Sequence, residues 1–135
     1  MNTLFNVLFL CSPNTKLNLQ DHYTSSGNFP INPHFEFTPQ AGLEYLNRLT
    51  SLNFPSIIII DEAIGFDKNL DFINQYRSNF YLSHVDTLLF VSHKEDNKER
   101  HKSVYPIIVS DCLTQPFNKH LFMEKVFPFL TVQMV

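Results

Sequence analysis

Four consecutive isoleucines, Ile57 to Ile60, followed at once by Asp61, constrain this chain more than any other stretch. Branching at Cβ restricts χ1 and suits an extended backbone, and an apolar run without alternation fits a strand covered on both faces. The run is far too short to cross a membrane. It reads as a central strand that stops abruptly at Asp61, with Gly65, Asp67, Lys68 and Asn69 forming a loop before helical spacing resumes. A carboxylate is thereby placed at the carboxyl end of a central strand, where open α/β sheets gather ligands and chemistry. The simpler task for such a residue is to end the strand and cap its loop.

The rest of the chain supplies elements to surround that strand. Phe5 to Leu10 is a compact apolar run that ends near Cys11, before the turn formers Ser12, Pro13 and Asn14. Ser12 or Asn14 could cap a helix, but Lys16 to Gly27 offers only Leu17, Leu19 and Tyr23 as apolar positions, so the expectation is a short or irregular helix with a long exit loop. His34 to Phe37 alternates and reads as a short edge strand. Thr38 then suits an N-cap with Pro39 at the first helical position, and Ala41, Tyr45, Leu46, Leu49 and Leu52 follow at helical spacing.

Past Asp61, Asp67 or Asn69 is the expected cap of a helix that turns Leu70, Ile73 and Tyr76 to one face. Thr87 to Val91 reads as a fourth strand ending at Ser92, much as Ile60 ends at Asp61. His93 to Ser103 holds no apolar side chain and reads as a solvated helix or loop. Ile107 to Val109 and Asp111 to Thr114 form the approach to and body of a fifth strand. Asn118 is the expected cap of a last helix carrying Leu121, Phe122, Val126 and Phe127 toward the core. Strands alternating with helices predict one α/β domain over residues 1–135, a doubly wound parallel sheet of five βα units joined by right-handed crossovers.

Composition excludes several functions. A 44% hydrophobic content with 14 phenylalanines rules out a disordered chain. The net charge of −3, with no basic stripe, gives no general attraction to nucleic acid. Leu4 to Leu10 has no basic segment before it and runs into Pro13, so it fits neither a secretion signal nor a membrane anchor. Cys11 and Cys112, far apart, fit two buried thiols in a reducing compartment, and the expected location is cytoplasmic. His93 and His101 are eight residues apart, which is no standard metal-ligand spacing.

Asp61 and Ser92 at successive strand ends, and a polar-Pro-Phe step at Gln115 to Phe117 before the last helix, make the chain similar to the receiver domains of two-component response regulators. The resemblance is strongest over Thr38 to Leu46, Ile57 to Ile73, Thr87 to Ser92 and Tyr105 to Leu121. It implies strand order 2-1-3-4-5, a phosphoacceptor position at Asp61, a phosphoryl-contact position at Ser92, and a Gln115-Pro116 bond that is a candidate for the cis form. The family's acidic pair after the first strand, which holds magnesium, falls on Cys11 and Ser12. Its lysine falls on Gln115 and its aromatic switch residue on Cys112.

These departures predict a degenerate receiver. Transfer of a phosphoryl group to a carboxylate depends on neutralising crowded anionic oxygens, and magnesium asks for carboxylate oxygens that Cys11 and Ser12 do not supply. Removing one such electrostatic contact costs roughly 3 kcal/mol, so losing the acids and the lysine together should nearly abolish transfer. Glu62 and Asp67 are the acids available to replace them in part. The expectation is a stand-alone signalling module acting through protein contact, with a histidine kinase, another regulator or a second copy as partner, no nucleic acid or membrane, and weak or absent magnesium binding.

Two alternatives stand beside it. One is a phosphorylatable receiver using Asp61. The other uses Cys11, because Val7 to Ser12 is also similar to the strand and nucleophile loop of low-molecular-weight tyrosine phosphatases and of sugar-transport phosphocarrier domains. There a thiolate attacks phosphorus. The loop here has no glycine, Leu17 stands where the phosphatase arginine is required, and Lys16 cannot offer a bidentate fork.

Overall fold

The computed structural model describes residues 4–23, 31–91, 110–114 and 119–132. Strand β1 (Phe5–Leu10) leads to helix α1 (Pro13–Tyr23), β2 (Ile31–Glu36), α2 (Pro39–Arg48), β3 (Ile57–Asp61), α3 (Phe66–Arg77), β4 (Asp86–Val91), β5 (Asp111–Thr114) and α4 (Lys119–Val132). The α/β class is as expected, with parallel pairing in the order β2-β1-β3-β4 and the four-residue β5 added beside β4.

Period-two alternation divides the core between the two faces of the sheet. Val7, Phe9, Ile57 and Ile59 point to one side, where Leu19 of α1 and Phe122, Val126 and Leu130 of α4 cover them. Leu8, Leu10, Ile58 and Ile60 point to the other, where Leu46 of α2 and Phe72, Ile73 and Tyr76 of α3 cover them. All four isoleucines of β3 are buried, and each contributes about 1.5–3 kcal/mol by leaving water. Gly42 lets α2 approach closely, since a Cβ there would lie 3.1 Å from the Phe72 ring. Among the described residues, no helix is long and apolar enough to cross a membrane.

Several boundaries correct the sequence reading. α1 is a regular helix of 11 residues rather than a short or irregular one. Ser12 caps it, its Oγ accepting from the Thr15 amide at 3.1 Å while its carbonyl accepts from the Lys16 amide at 3.0 Å. Ser12-Pro13 thus repeats the Thr38-Pro39 start of α2, where the Thr38 hydroxyl accepts from the Ala41 amide at 3.1 Å. A weak apolar pattern hid α1; Leu19 is fully buried, whereas Leu17 faces water.

β2 begins at Ile31, three residues earlier than alternation suggested, and as an edge strand it accommodates Pro33. α2 ends at Arg48, and Leu52 lies in a separate 3-10 turn, almost fully exposed. α3 starts at Phe66 after Gly65, so neither Asp67 nor Asn69 caps it. Its buried stripe is Asn69, Phe72, Ile73 and Tyr76, with Leu70 half-buried. In α4 the core face is Phe122, Val126 and Leu130, and Phe127 is exposed. The expected long exit loop from α1, the polar run His93 to Ser103 with its two histidines, Ile107 to Val109 and Asn118 lie outside the described residues.

Candidate functional site

The sheet register builds the site. Leu10 of β1 pairs with Ile60 of β3, so Cys11 and Asp61 follow side by side at the carboxyl ends of adjacent strands. Asp61 is 1% exposed. A buried carboxylate requires hydrogen bonds, and this one has a donor on each oxygen. Oδ1 accepts from the Ala63 amide at 2.9 Å, which caps the 3-10 turn Glu62–Ile64. Oδ2 accepts from the Thr15 hydroxyl at 2.6 Å.

Thr15 is there because of the α1 cap. Ser12 at the cap and Pro13 at the first helical position put Thr15 in the first turn, beside the end of β1. The Ser12 hydroxyl donates to Thr15 Oγ1 at 3.0 Å, so a chain of hydroxyls runs from Ser12 through Thr15 to Asp61. Sequence reading missed Thr15; the Ser-Pro start of α1 was the available signal.

It also took Asn69 for a loop residue or helix cap and missed its contact with Asp61. Asn69 is fully buried, and its Nδ2 donates to the Asp61 carbonyl at 3.2 Å, holding the end of β3 against the first turn of α3. Its Oδ1 accepts no hydrogen bond among the described residues. The signal for Asn69 was its place on the stripe 69, 72, 73 and 76, which a polar residue interrupts.

Cys11 is 2% exposed. Burial, then the nearby negative charge of Asp61, push its thiol up to about 12, against a smaller lowering by Lys16. Near neutral pH the thiol is therefore protonated, which works against the thiolate chemistry of the Cys11 alternative. The Lys16 ammonium is 5.0 Å from the Phe35 ring centroid and 5.8 Å from that of Phe37, so it is held over the aromatics of and after β2.

Of the acids named as replacements, Glu62 follows Asp61 in the 3-10 turn and is half-buried, while Asp67 is exposed in the first turn of α3. Cys112 stands on β5 opposite Leu89, its side chain outside what is described. Ser92, Gln115 and Pro116 also lie outside the described residues. The structure thus brings together Asp61, Cys11 and Ser12 and adds Thr15 and Asn69. Among the described residues, no group of three or more His, Cys, Asp or Glu side chains is arranged to hold a metal ion.

No protein-family model matches the chain, and no curated protein matches it in sequence. Solved structures do match it in fold. The bacteriophytochrome response regulator RtBRR superposes with a TM-score of 0.73 at 19% identity, covering 94% of this chain and 78% of that one. The chemotaxis response regulator CheY4 of Vibrio cholerae gives 0.67 at 14% identity, over 94% of this chain and 99% of that one. The signal receiver domain of a signal transduction histidine kinase from Syntrophus aciditrophicus gives 0.71 at 14% identity, over 94% and 90%. The chain has the receiver fold.

Proposed function

We propose that this receiver-fold chain is a degenerate receiver: a cytoplasmic module that transmits a signal through protein contact, with little or no magnesium-dependent phosphorylation of Asp61. One observation carries the reading. The Asp61 carboxylate is buried and bonded to donors of its own chain, Thr15 and Ala63, beside a β1 end that offers a protonated thiol and a hydroxyl in place of acids.

Magnesium keeps several waters and takes one or two carboxylates, in near-octahedral geometry. Asp61 with Cys11 and Ser12 is a poor match to that requirement, because only one of the three carries charge and its Oδ2 already accepts from Thr15. An incoming phosphoryl group would have to displace the Thr15 hydroxyl or approach around it. It would also need its oxygens neutralised, and Lys16, whose charge acts on Cys11, is held over Phe35 and Phe37. The receiver fold supports a signalling role, with a histidine kinase, another regulator or a second copy as partner.

Incubation with acetyl phosphate and magnesium followed by intact-mass measurement tests this. An unchanged mass is the expected result. An adduct that maps to Asp61, and is lost in Asp61→Asn, restores the conventional phosphorylated receiver. Size-exclusion chromatography with light scattering distinguishes a second copy from an unlike partner.

A further inference from the structure

A groove separate from the Asp61 carboxylate opens between the N-terminal half of α2 and one side of α3, with a volume of about 710 Å³. That falls within the range of roughly 300–1,000 Å³ typical of small-molecule pockets. Its apolar lining includes Phe37, Leu43 and Ile64, from the start of α2 and the turn after β3. Phe37 is 46% exposed, and the Lys16 ammonium lies 5.8 Å from its ring centroid.

The α3 side of the groove has a different character. Lys68, Asp71 and Gln75 are spaced at i, i+3 and i+7, which places them along one line of the helix. Lys68 and Asp71 carry opposite charges into the same groove, yet among the described residues neither has an ion-pair partner, including the other. Gln75 Nε2 donates to Asp71 Oδ2 at 2.7 Å, so that carboxylate is bonded to the following helical turn rather than to Lys68. The groove therefore presents an apolar wall facing a separated cation and anion, with no net charge.

We propose that this groove binds a small zwitterionic amphiphile of the aromatic α-amino acid class. The ring lies against Phe37, Leu43 and Ile64, the carboxylate meets Lys68, and the ammonium meets Asp71. A simple organic anion would meet Lys68 but be repelled by Asp71, and a simple amine would meet the reverse. Only a molecule with both charges close together on one end, and an apolar body on the other, complements the three features at once. Lys68 and Asp71 are exposed, so each contact is screened and modest, and selectivity is expected to rest on the two acting together.

The test is a titration of the full chain, followed by amide chemical shifts, with L-phenylalanine and two single-charge relatives, 3-phenylpropionate and phenethylamine. L-Phenylalanine is expected to move the amides of Leu43, Ile64 and Lys68, with each relative binding about two- to fivefold more weakly. In Lys68→Gln, L-phenylalanine and phenethylamine should bind alike; in Asp71→Asn, L-phenylalanine and 3-phenylpropionate should. Both substitutions lie on the exposed face of α3, and unchanged circular dichroism verifies that they fold. The proposal is overturned if L-phenylalanine leaves these amides unmoved or shifts a different surface. Equal binding of all three probes overturns it in favour of an unselective apolar surface. Concentration-dependent shifts of the same amides without ligand overturn it in favour of contact between copies of the chain.

Discussion

The Thr15 hydroxyl donates to Asp61 Oδ2 at 2.6 Å across 46 residues of sequence, joining the first turn of α1 to the carboxyl end of β3. Thr15→Val keeps the shape of the side chain and removes the donor from a buried carboxylate. It is expected to lower unfolding free energy by about 1–3 kcal/mol in urea denaturation, while Thr15→Ser retains most of the stability. A Thr15→Val protein as stable as wild type would show that the bond is incidental.

Asn69 makes a second attachment to the same residue, through the Asp61 carbonyl. Asn69→Leu replaces a fully buried amide with a side chain of similar size and leaves that carbonyl without its donor. The expected cost is again about 1–3 kcal/mol, and amide exchange should quicken around Asp61 and the first turn of α3 before it does elsewhere.

Burial raises the Cys11 thiol from its ordinary 9.0 to about 12. A group whose folded pKa is raised contributes stability that is complete below its unfolded value and is lost as pH rises toward the folded one. Stability should therefore be insensitive to this thiol below pH 9 and fall between about pH 9 and 12, less steeply in Cys11→Ala. Tyr45 and Tyr76, both raised chiefly by burial, act in the same direction at higher pH. In a Cys112→Ser background, a disulfide reagent at pH 8 should modify Cys11 readily in urea and very slowly in the native protein; rapid native reaction would revive the Cys11 alternative.

The Tyr76 hydroxyl joins α3 to the start of β4, donating to the Val85 carbonyl at 2.9 Å and contacting the buried Thr87 hydroxyl. Tyr76→Phe keeps the ring in the core but leaves both groups short of a partner. A loss of about 1–3 kcal/mol is expected by thermal or chemical denaturation.

Gly65 separates the 3-10 turn after Asp61 from α3 with φ of +124° and ψ of 142°, a conformation that side chains with a Cβ rarely adopt. A Cβ at this position would meet nothing within 4 Å, so the cost of Gly65→Ala is backbone strain alone, about 1–3 kcal/mol. Gly65 was legible only as part of a loop; its conformation depends on how β3 hands over to α3.

Local chemistry in the sequence determined most of the elements and the place of one site residue. The β-branched run Ile57 to Ile60 specified a doubly covered strand, Thr38-Pro39 specified where α2 starts, and the abrupt change at Asp61 placed a carboxylate at a strand end. These signals span a few residues and depend on χ1 restriction, fixed proline φ and side-chain periodicity, which any chain displays before it folds.

What that carboxylate touches was decided only by tertiary structure. The parallel register of β1 and β3 sets the Cys11 thiol beside Asp61, the crossing of α1 delivers Thr15, and the burial of one face of α3 turns Asn69 inward. Each is a contact between residues distant in sequence or a consequence of exclusion from water, and neither is encoded in a local window. A buried polar group must find its partners among whatever the assembled fold places nearby. For Asp61 those partners are a threonine hydroxyl, a backbone amide and an asparagine from its own chain.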